Sequence, residues 1–185
     1  MRNAHISALE RNKALDWLRE SHQEFFAAID GVSEEQWKWK PTPESWSVGE
    51  TAEHIVLAEA LLFKFVEQSV NSPANPDWEE QTKGKTELIE RVMAPRLGKA
   101  MAPQPIAPTG KLTQAQAKVR FEMQREKMAK FENDAPAALK EHTAVHPFPD
   151  FNTLNAYQWF ICVPLHTMRH NKQIEEVKAT PGYPK

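Results

Sequence analysis

Residues 165–171, with the sequence LHTMRHN, place two histidines, His166 and His170, four positions apart in a helical pattern. Positions i and i+4 lie on one face of an α-helix, with their Cβ atoms about 6 Å apart. Two imidazoles in this arrangement can converge on one metal ion. A third histidine, His54, lies in the helical segment 46–55 (WSVGETAEHI), and three protein ligands form a metal site with an open coordination position.

The composition predicts one soluble domain over residues 1–185, because a chain of this length folds without disulfide support. No apolar run approaches the roughly 18–20 residues that span a bilayer. The 23 basic and 25 acidic residues nearly cancel, so we expect neither nucleic acid nor a membrane as a partner. The N-terminal residues lack a secretory signal, which favours a cytoplasmic location. The single cysteine, Cys162, excludes an internal disulfide and a cysteine-rich zinc site.

Apolar periodicity predicts four long helices, at about 5–29, 47–70, 113–133, and from 152 or 153 to 178. Ser47 and Glu50 have the spacing of a capping box at the start of the second helix. Residues 71–111 hold six of the fourteen prolines, which excludes one regular element there. We expect a long crossover with a short helix at 87–93.

Four helices with one long connection predict an all-α four-helix bundle in up-down-down-up order, with the crossover between the second and third helices. The second and fourth helices then run antiparallel. His54 lies about seven residues after the start of the second helix, and His170 about eight residues before the end of the fourth. A rise of about 1.5 Å per residue places both about 10–12 Å from the same end of the bundle. The three histidines therefore lie at a similar depth.

A histidine pair at this spacing also occurs by coincidence, and the third histidine at the same depth is what favours a metal site. An unpaired imidazole on the inner face of a helix needs a partner, which a metal ion would supply. His146 lies too far along the chain from the pair to join it, and we interpret it as a turn residue. Trp46 either packs at the end of the bundle or forms an aromatic rim at a substrate entrance.

Five further residues have two interpretations each. Cys162 is a fourth ligand or reactive thiol, or, as we favour, a buried small hydrophobic residue. His22 contacts the site or substrate, or, as we favour, is a hydrogen-bonded core histidine. Glu50 orients a ligating imidazole or only caps its helix. Arg169 binds an anionic substrate or pairs with a neighbouring helix, and Gln173 hydrogen-bonds a ligand or a substrate.

Three motifs make the chain resemble the DinB superfamily, including its YfiT-like metal-binding bundles. They are the segment WSVGExxxH at 46–54, the turn HPF at 146–148, and HxxRHxxQI at 166–174 closing on PGYP at 181–184. The resemblance covers nearly the whole chain and implies the same four-helix bundle. It also implies a divalent metal, zinc or nickel, held by His54, His166 and His170.

Characterised relatives in that family are thiol S-transferases that use bacillithiol or mycothiol, and a thiol-dependent maleylpyruvate isomerase. The resemblance therefore implies a metal-dependent transferase, or a related hydrolase, that acts on a small molecule with a low-molecular-weight thiol as partner. The alternative is a non-enzymatic, stress-responsive bundle in which a structural metal fastens two helices. Family members are often dimers, so a homodimer is a further expectation.

Overall fold

The computed structural model describes residues 4–95, 102–134 and 138–185. In chain order the elements are α1 (Ala8–Ile29), α2 (Glu34–Lys38), α3 (Val48–Val70), α4 (Trp78–Thr82), α5 (Lys85–Met93), a 3-10 turn (Gln104–Ile106), α6 (Gln114–Asp134), β1 (Thr143–Val145), β2 (Thr153–Asn155) and α7 (Ala156–Lys178). The predicted all-α class is confirmed, with one small two-stranded sheet added. The four long helices match the predicted ones, and the predicted short helix of the crossover is α5.

Side-chain caps explain where most of the helices begin. Capping boxes satisfy the free N–H groups of the first turn at Ser7 and Glu10, Ser33 and Gln36, Ser47 and Glu50, and Asn155 and Gln158. The box at Ser47 confirms the predicted start of the second long helix. Ser7 sets the start of α1 at Ala8, a few residues later than the periodicity predicted.

The last helix begins later than predicted because the residues before it form a strand. Thr153–Asn155 pairs antiparallel with Thr143–Val145, and the Asn155 side chain accepts a hydrogen bond from the backbone N–H of Gln158. The predicted start at residue 152 or 153 was therefore wrong, and α7 starts at Ala156. Helix α4 was not predicted either, since its five residues carry too little periodicity.

Contacts along α7 give the direction of its neighbours. His54 packs near His170, whereas Phe65, farther along α3, stacks on Trp159 at 4.7 Å, so α3 and α7 are antiparallel. The backbone carbonyl of Glu10 meets the start of α7 at Tyr157. At the other end, residue 28 of α1 meets residue 178 of α7, so these two helices are parallel.

The third long helix runs in the same direction as α3. Glu59 pairs with Arg125, and Phe63 packs edge-on against Phe131, so positions on α3 and α6 increase together. Combined with the contacts of α7, this confirms the up-down-down-up order. The crossover from 71 to 111 joins the two parallel helices α3 and α6, as predicted.

Two clusters of buried apolar side chains fill the bundle. One contains Trp159 and Leu154, and the other contains Phe25, Phe121 and Ile55. Phe25 and Phe121 stack with ring centroids 4.0 Å apart, joining α1 to α6. Among the helices of the described residues, none is long and apolar enough to cross a membrane.

Candidate metal centre

Three histidines from two antiparallel helices converge at one point of the bundle. His54 projects from α3, and His166 and His170 project from successive turns of α7. Each offers a ring nitrogen, and these three atoms lie within 4.8 Å of one another. The ring centroids are separated by 4.4 to 5.1 Å. The equal depth inferred from the sequence therefore corresponds to real proximity.

Hydrogen bonds fix the proton on two of the three imidazoles. Nδ1 of His54 lies 2.7 Å from the backbone carbonyl of Ile106. Because a carbonyl oxygen can only accept, Nδ1 carries the proton and Nε2 keeps a lone pair. Nδ1 of His170 lies 2.9 Å from Oε1 of Gln173, which has the same effect. In many proteins, a hydrogen-bond acceptor on the ring nitrogen that does not bind the metal orients a metal-binding histidine in this way.

The third imidazole, that of His166, differs from the other two in its hydrogen bonding. Nδ1 of His166 is buried and has no hydrogen-bond partner within the described part of the chain. Burial, with the adjacent His170 and His54, holds the pKa of His166 well below its usual value. Burial also lowers the pKa of His54. The two rings are therefore neutral near pH 7, which is the form that binds a metal.

The donor set fits a divalent metal ion. Metal–nitrogen bonds of about 2.1 Å allow two nitrogens around one ion to lie up to about 4 Å apart. Nitrogens already within 4.8 Å of one another need only small side-chain rotations to share an ion. Among the side chains that the structure describes, no fourth histidine, cysteine or carboxylate joins this group.

The surroundings of the cluster are partly open and aromatic. His54 and His170 are 3% and 8% exposed, whereas His166 is more exposed than either. The ring of Trp46 lies 4.8 Å from that of His54 and 6.4 Å from that of His170, and it is itself half-buried. Trp46 therefore forms an aromatic wall beside the histidines rather than only packing at the end of the bundle.

The contacts of three residues near the histidines distinguish between the alternative roles predicted for them. Gln173 bonds to His170, as one of its two interpretations required. Arg169 donates a hydrogen bond to the backbone carbonyl of Pro95 in the crossover. Glu50 does not supply the partner of His54 Nδ1. Its carboxylate caps α3 and forms an ion pair with Lys40 at 3.1 Å.

Three other residues lie away from the cluster. Cys162 is fully buried in the apolar core, and this burial raises the pKa of its thiol. His22 pairs with Glu122 at 2.9 Å, between α1 and α6. His146 is buried against Trp159 beside the small sheet. None of the three belongs to the histidine group found among the described residues.

Two contributors to the site were missed in the sequence. The Ile106 carbonyl could not have been found, because any residue supplies the same backbone group. Glu53 accepts hydrogen bonds from the Thr109 hydroxyl at 2.7 Å and from the Gly110 N–H at 2.8 Å. Its signal was a charged residue directly before His54, within the run 51–56 of α3 in which every residue is buried.

Comparison with known proteins identifies the family of the chain. The family model described as the DinB superfamily matches residues 17–174, which include all three histidines. The chain is also 27% identical over 162 residues to the uncharacterized protein YuaE of Bacillus subtilis (strain 168), covering 86% of this chain and 93% of that protein. No solved structure matches at a significant level. With most of its length matched by the family model, the chain belongs to the DinB superfamily.

Proposed function

We propose that the protein is a metal-dependent enzyme whose divalent ion, zinc or nickel, is held by His54, His166 and His170. The favoured reaction is transfer of a low-molecular-weight thiol to a small electrophile, with hydrolysis of a small molecule as the alternative. Membership of the DinB superfamily supports a metal-associated bundle. The family resemblance noted from the sequence motifs supports the thiol chemistry.

The observation that carries the proposal is a group of three converging histidine donors among the described residues, one of them partly exposed. Structural zinc sites normally have four protein ligands, whereas catalytic sites have three and keep one position open. Within the described residues the group has three members. A divalent ion bound there would lower the pKa of a coordinated thiol or water and so generate a nucleophile near neutral pH.

The protein groups around the histidines have separate tasks in this proposal. Gln173 and the Ile106 carbonyl hold two imidazoles in the orientation that presents Nε2 to the ion. Trp46 provides an apolar surface for the carbon skeleton of a substrate, and its ring also shields His54 from water. Shielding of this kind strengthens electrostatic interactions inside a site.

Metal analysis tests the ligand set directly. We expect the purified protein to contain about one zinc or nickel per chain after reconstitution, and His166→Ala to contain almost none. His22→Ala is the matched control, since His22 lies between α1 and α6 and outside the histidine group. Equal metal content in His166→Ala and in the unaltered protein would refute the site.

Activity and stability together separate an enzyme from a bundle with a structural metal. A panel of thiols and electrophiles should give turnover only with the metal-loaded protein, and His166→Ala should lose it. An enzyme of this type keeps most of its melting temperature without metal. A large loss of Tm on metal removal, with no turnover under any combination, would favour the structural role instead.

A further inference from the structure

The last part of the crossover is fastened to α3 beside the histidine group. His54 donates from Nδ1 to the Ile106 carbonyl at 2.7 Å. Three residues farther along, the Thr109 hydroxyl donates to Oε1 of Glu53 at 2.7 Å, and the Gly110 N–H donates to Oε2 at 2.8 Å. His54 and its neighbour Glu53 thus hold the same short stretch of the crossover at consecutive points.

Glu53 is an unusual residue for this position. Its side chain is only 7% exposed, and a buried carboxylate is costly unless hydrogen bonds replace the lost water. Both of its oxygens are occupied by crossover donors, and within the described ranges no lysine or arginine pairs with it. The carboxylate therefore acts on the crossover rather than on a cationic partner.

The backbone conformation of the crossover directs an N–H group at this carboxylate. Gly110 has φ of +72°, a left-handed conformation that glycine adopts without strain. The turn it makes points the Gly110 N–H at Glu53. Apart from the 3-10 turn Gln104–Ile106, the described residues of 102–113 form no regular helix or strand. Side-chain bonds to α3 therefore do much to set where the Ile106 carbonyl lies.

We propose that Glu53 is a positioning residue of the metal site. It holds the crossover so that the Ile106 carbonyl stays on Nδ1 of His54, which keeps the proton there and leaves Nε2 for the ion. This inference rests on the proposed function in taking His54 as a ligand. The effect is indirect, since Glu53 itself does not belong to the group of converging donors.

Two substitutions at Glu53 distinguish positioning from a general loss of stability. Glu53→Ala removes both acceptors, so we expect the Kd for Zn²⁺ to rise about tenfold, as for other partners of metal-binding histidines. Glu53→Gln should bind Zn²⁺ nearly as the unaltered protein does. The Thr109 hydroxyl can accept as well as donate, so a carboxamide can bond to both Thr109 and Gly110.

The measurement is competition for Zn²⁺ against a chromophoric chelator, with Tm recorded for each variant. Glu67→Ala is the matched control, because it removes an exposed carboxylate from the same helix. Thr109→Val removes one of the two bonds from the crossover side and should give a smaller rise in Kd. It also serves as the second variant if Glu53→Ala does not fold.

A second readout needs no metal. Long-range ¹H–¹⁵N correlation spectra of the metal-free protein report which nitrogen of His54 carries the proton. We expect the Nδ1–H form in the unaltered protein and in Glu53→Gln, and a mixture of the two forms in Glu53→Ala.

The two readouts distinguish failure of this inference from failure of the proposed function. Unaltered affinity and an unaltered His54 tautomer in a folded Glu53→Ala variant would overturn the role of Glu53. If the unaltered protein binds neither Zn²⁺ nor Ni²⁺, the proposed function fails, and the tautomer of His54 in Glu53→Ala still decides whether Glu53 positions it. A rise in Kd that Glu53→Gln shares in full would also overturn the inference, because it would show that the bonds are not what matters.

Discussion

Each histidine of the group has a second ring nitrogen, and its partner decides which nitrogen faces the other two rings. The Ile106 carbonyl and the Gln173 side chain make that choice for His54 and His170. His166 has no such partner for its buried Nδ1 among the described residues. Two of the three histidines, His54 and His170, are therefore held in the metal-binding tautomer by hydrogen-bond partners that are not themselves ligands.

The variant Gln173→Leu tests whether Gln173 orients the imidazole of His170. Leucine has nearly the same size but cannot accept from Nδ1 of His170, so the imidazole loses its fixed orientation. We expect the Kd for Zn²⁺ to rise about tenfold, with little change in Tm. Chelator competition measures the affinity, and Gln68→Leu on the exposed side of α3 is the control. Equal affinities for both leucine variants would show that Gln173 does not orient His170.

The long helices are joined by a buried ion pair as well as by apolar packing. Glu59 of α3 is fully buried and pairs with Arg125 of α6 at 2.5 Å. The hydroxyl of Thr167 on α7 donates to the same carboxylate oxygen, and Arg125 also donates to the backbone carbonyl of Leu18 on α1. Burial raises the pKa of Glu59, and the nearby Arg125 opposes that rise. The ion pair of Glu59 and Arg125 therefore connects all four long helices.

Removing one member of this pair should destabilise the bundle far more than removing both. Arg125→Met leaves a carboxylate buried without its counter-charge, and such a change typically costs about 3–5 kcal/mol. We expect Glu59→Leu combined with Arg125→Met to cost clearly less than Arg125→Met alone, since no buried charge remains. Urea denaturation at pH 7 measures both. If the double variant is less stable than the single one, the attraction within the pair contributes more to the free energy of unfolding than the cost of burying an unpaired charge.

In the whole molecule, several histidines are buried in neutral form, so folding should depend on pH. Burial lowers the pKa of His146 to about 4 from the usual 6.5. Burial lowers the pKa of His54 and His166 as well. Between the lowered and the usual value, the unfolded chain binds more protons than the folded one. The stability is therefore fully present above about pH 6.5 and decreases as the pH falls towards 4.

His146→Gln should flatten this dependence in the metal-free protein. Glutamine can still accept from the Phe148 N–H, as Nδ1 of His146 does, but it does not titrate. We expect the loss of unfolding free energy between pH 7 and pH 5 to shrink by about 1–2 kcal/mol. Urea denaturation at both values measures it. A slope in His146→Gln equal to that of the unaltered protein would contradict the assignment to His146.

The bundle could be predicted from the sequence because the features that define its helices lie close together in the chain. Apolar spacing and the Ser47 capping box define helices by the geometry of a single element, and the length of the crossover limits their order. The depth of His54 and His170 along antiparallel helices was enough to bring them together. The short strands and α4 were not predicted, because segments of three to five residues carry little periodicity.

Sequence by itself determined the helices, their order and the three converging histidines, because helical periodicity fixes which residues share a face and at what height. Only the tertiary structure decided which atoms complete the site. The Ile106 carbonyl, the bonds of Glu53 to Thr109 and Gly110, and the wall formed by Trp46 depend on where the crossover and the chain before α3 come to lie. Such positions are set by side-chain hydrogen bonds between segments far apart in the chain, and no local pattern encodes them.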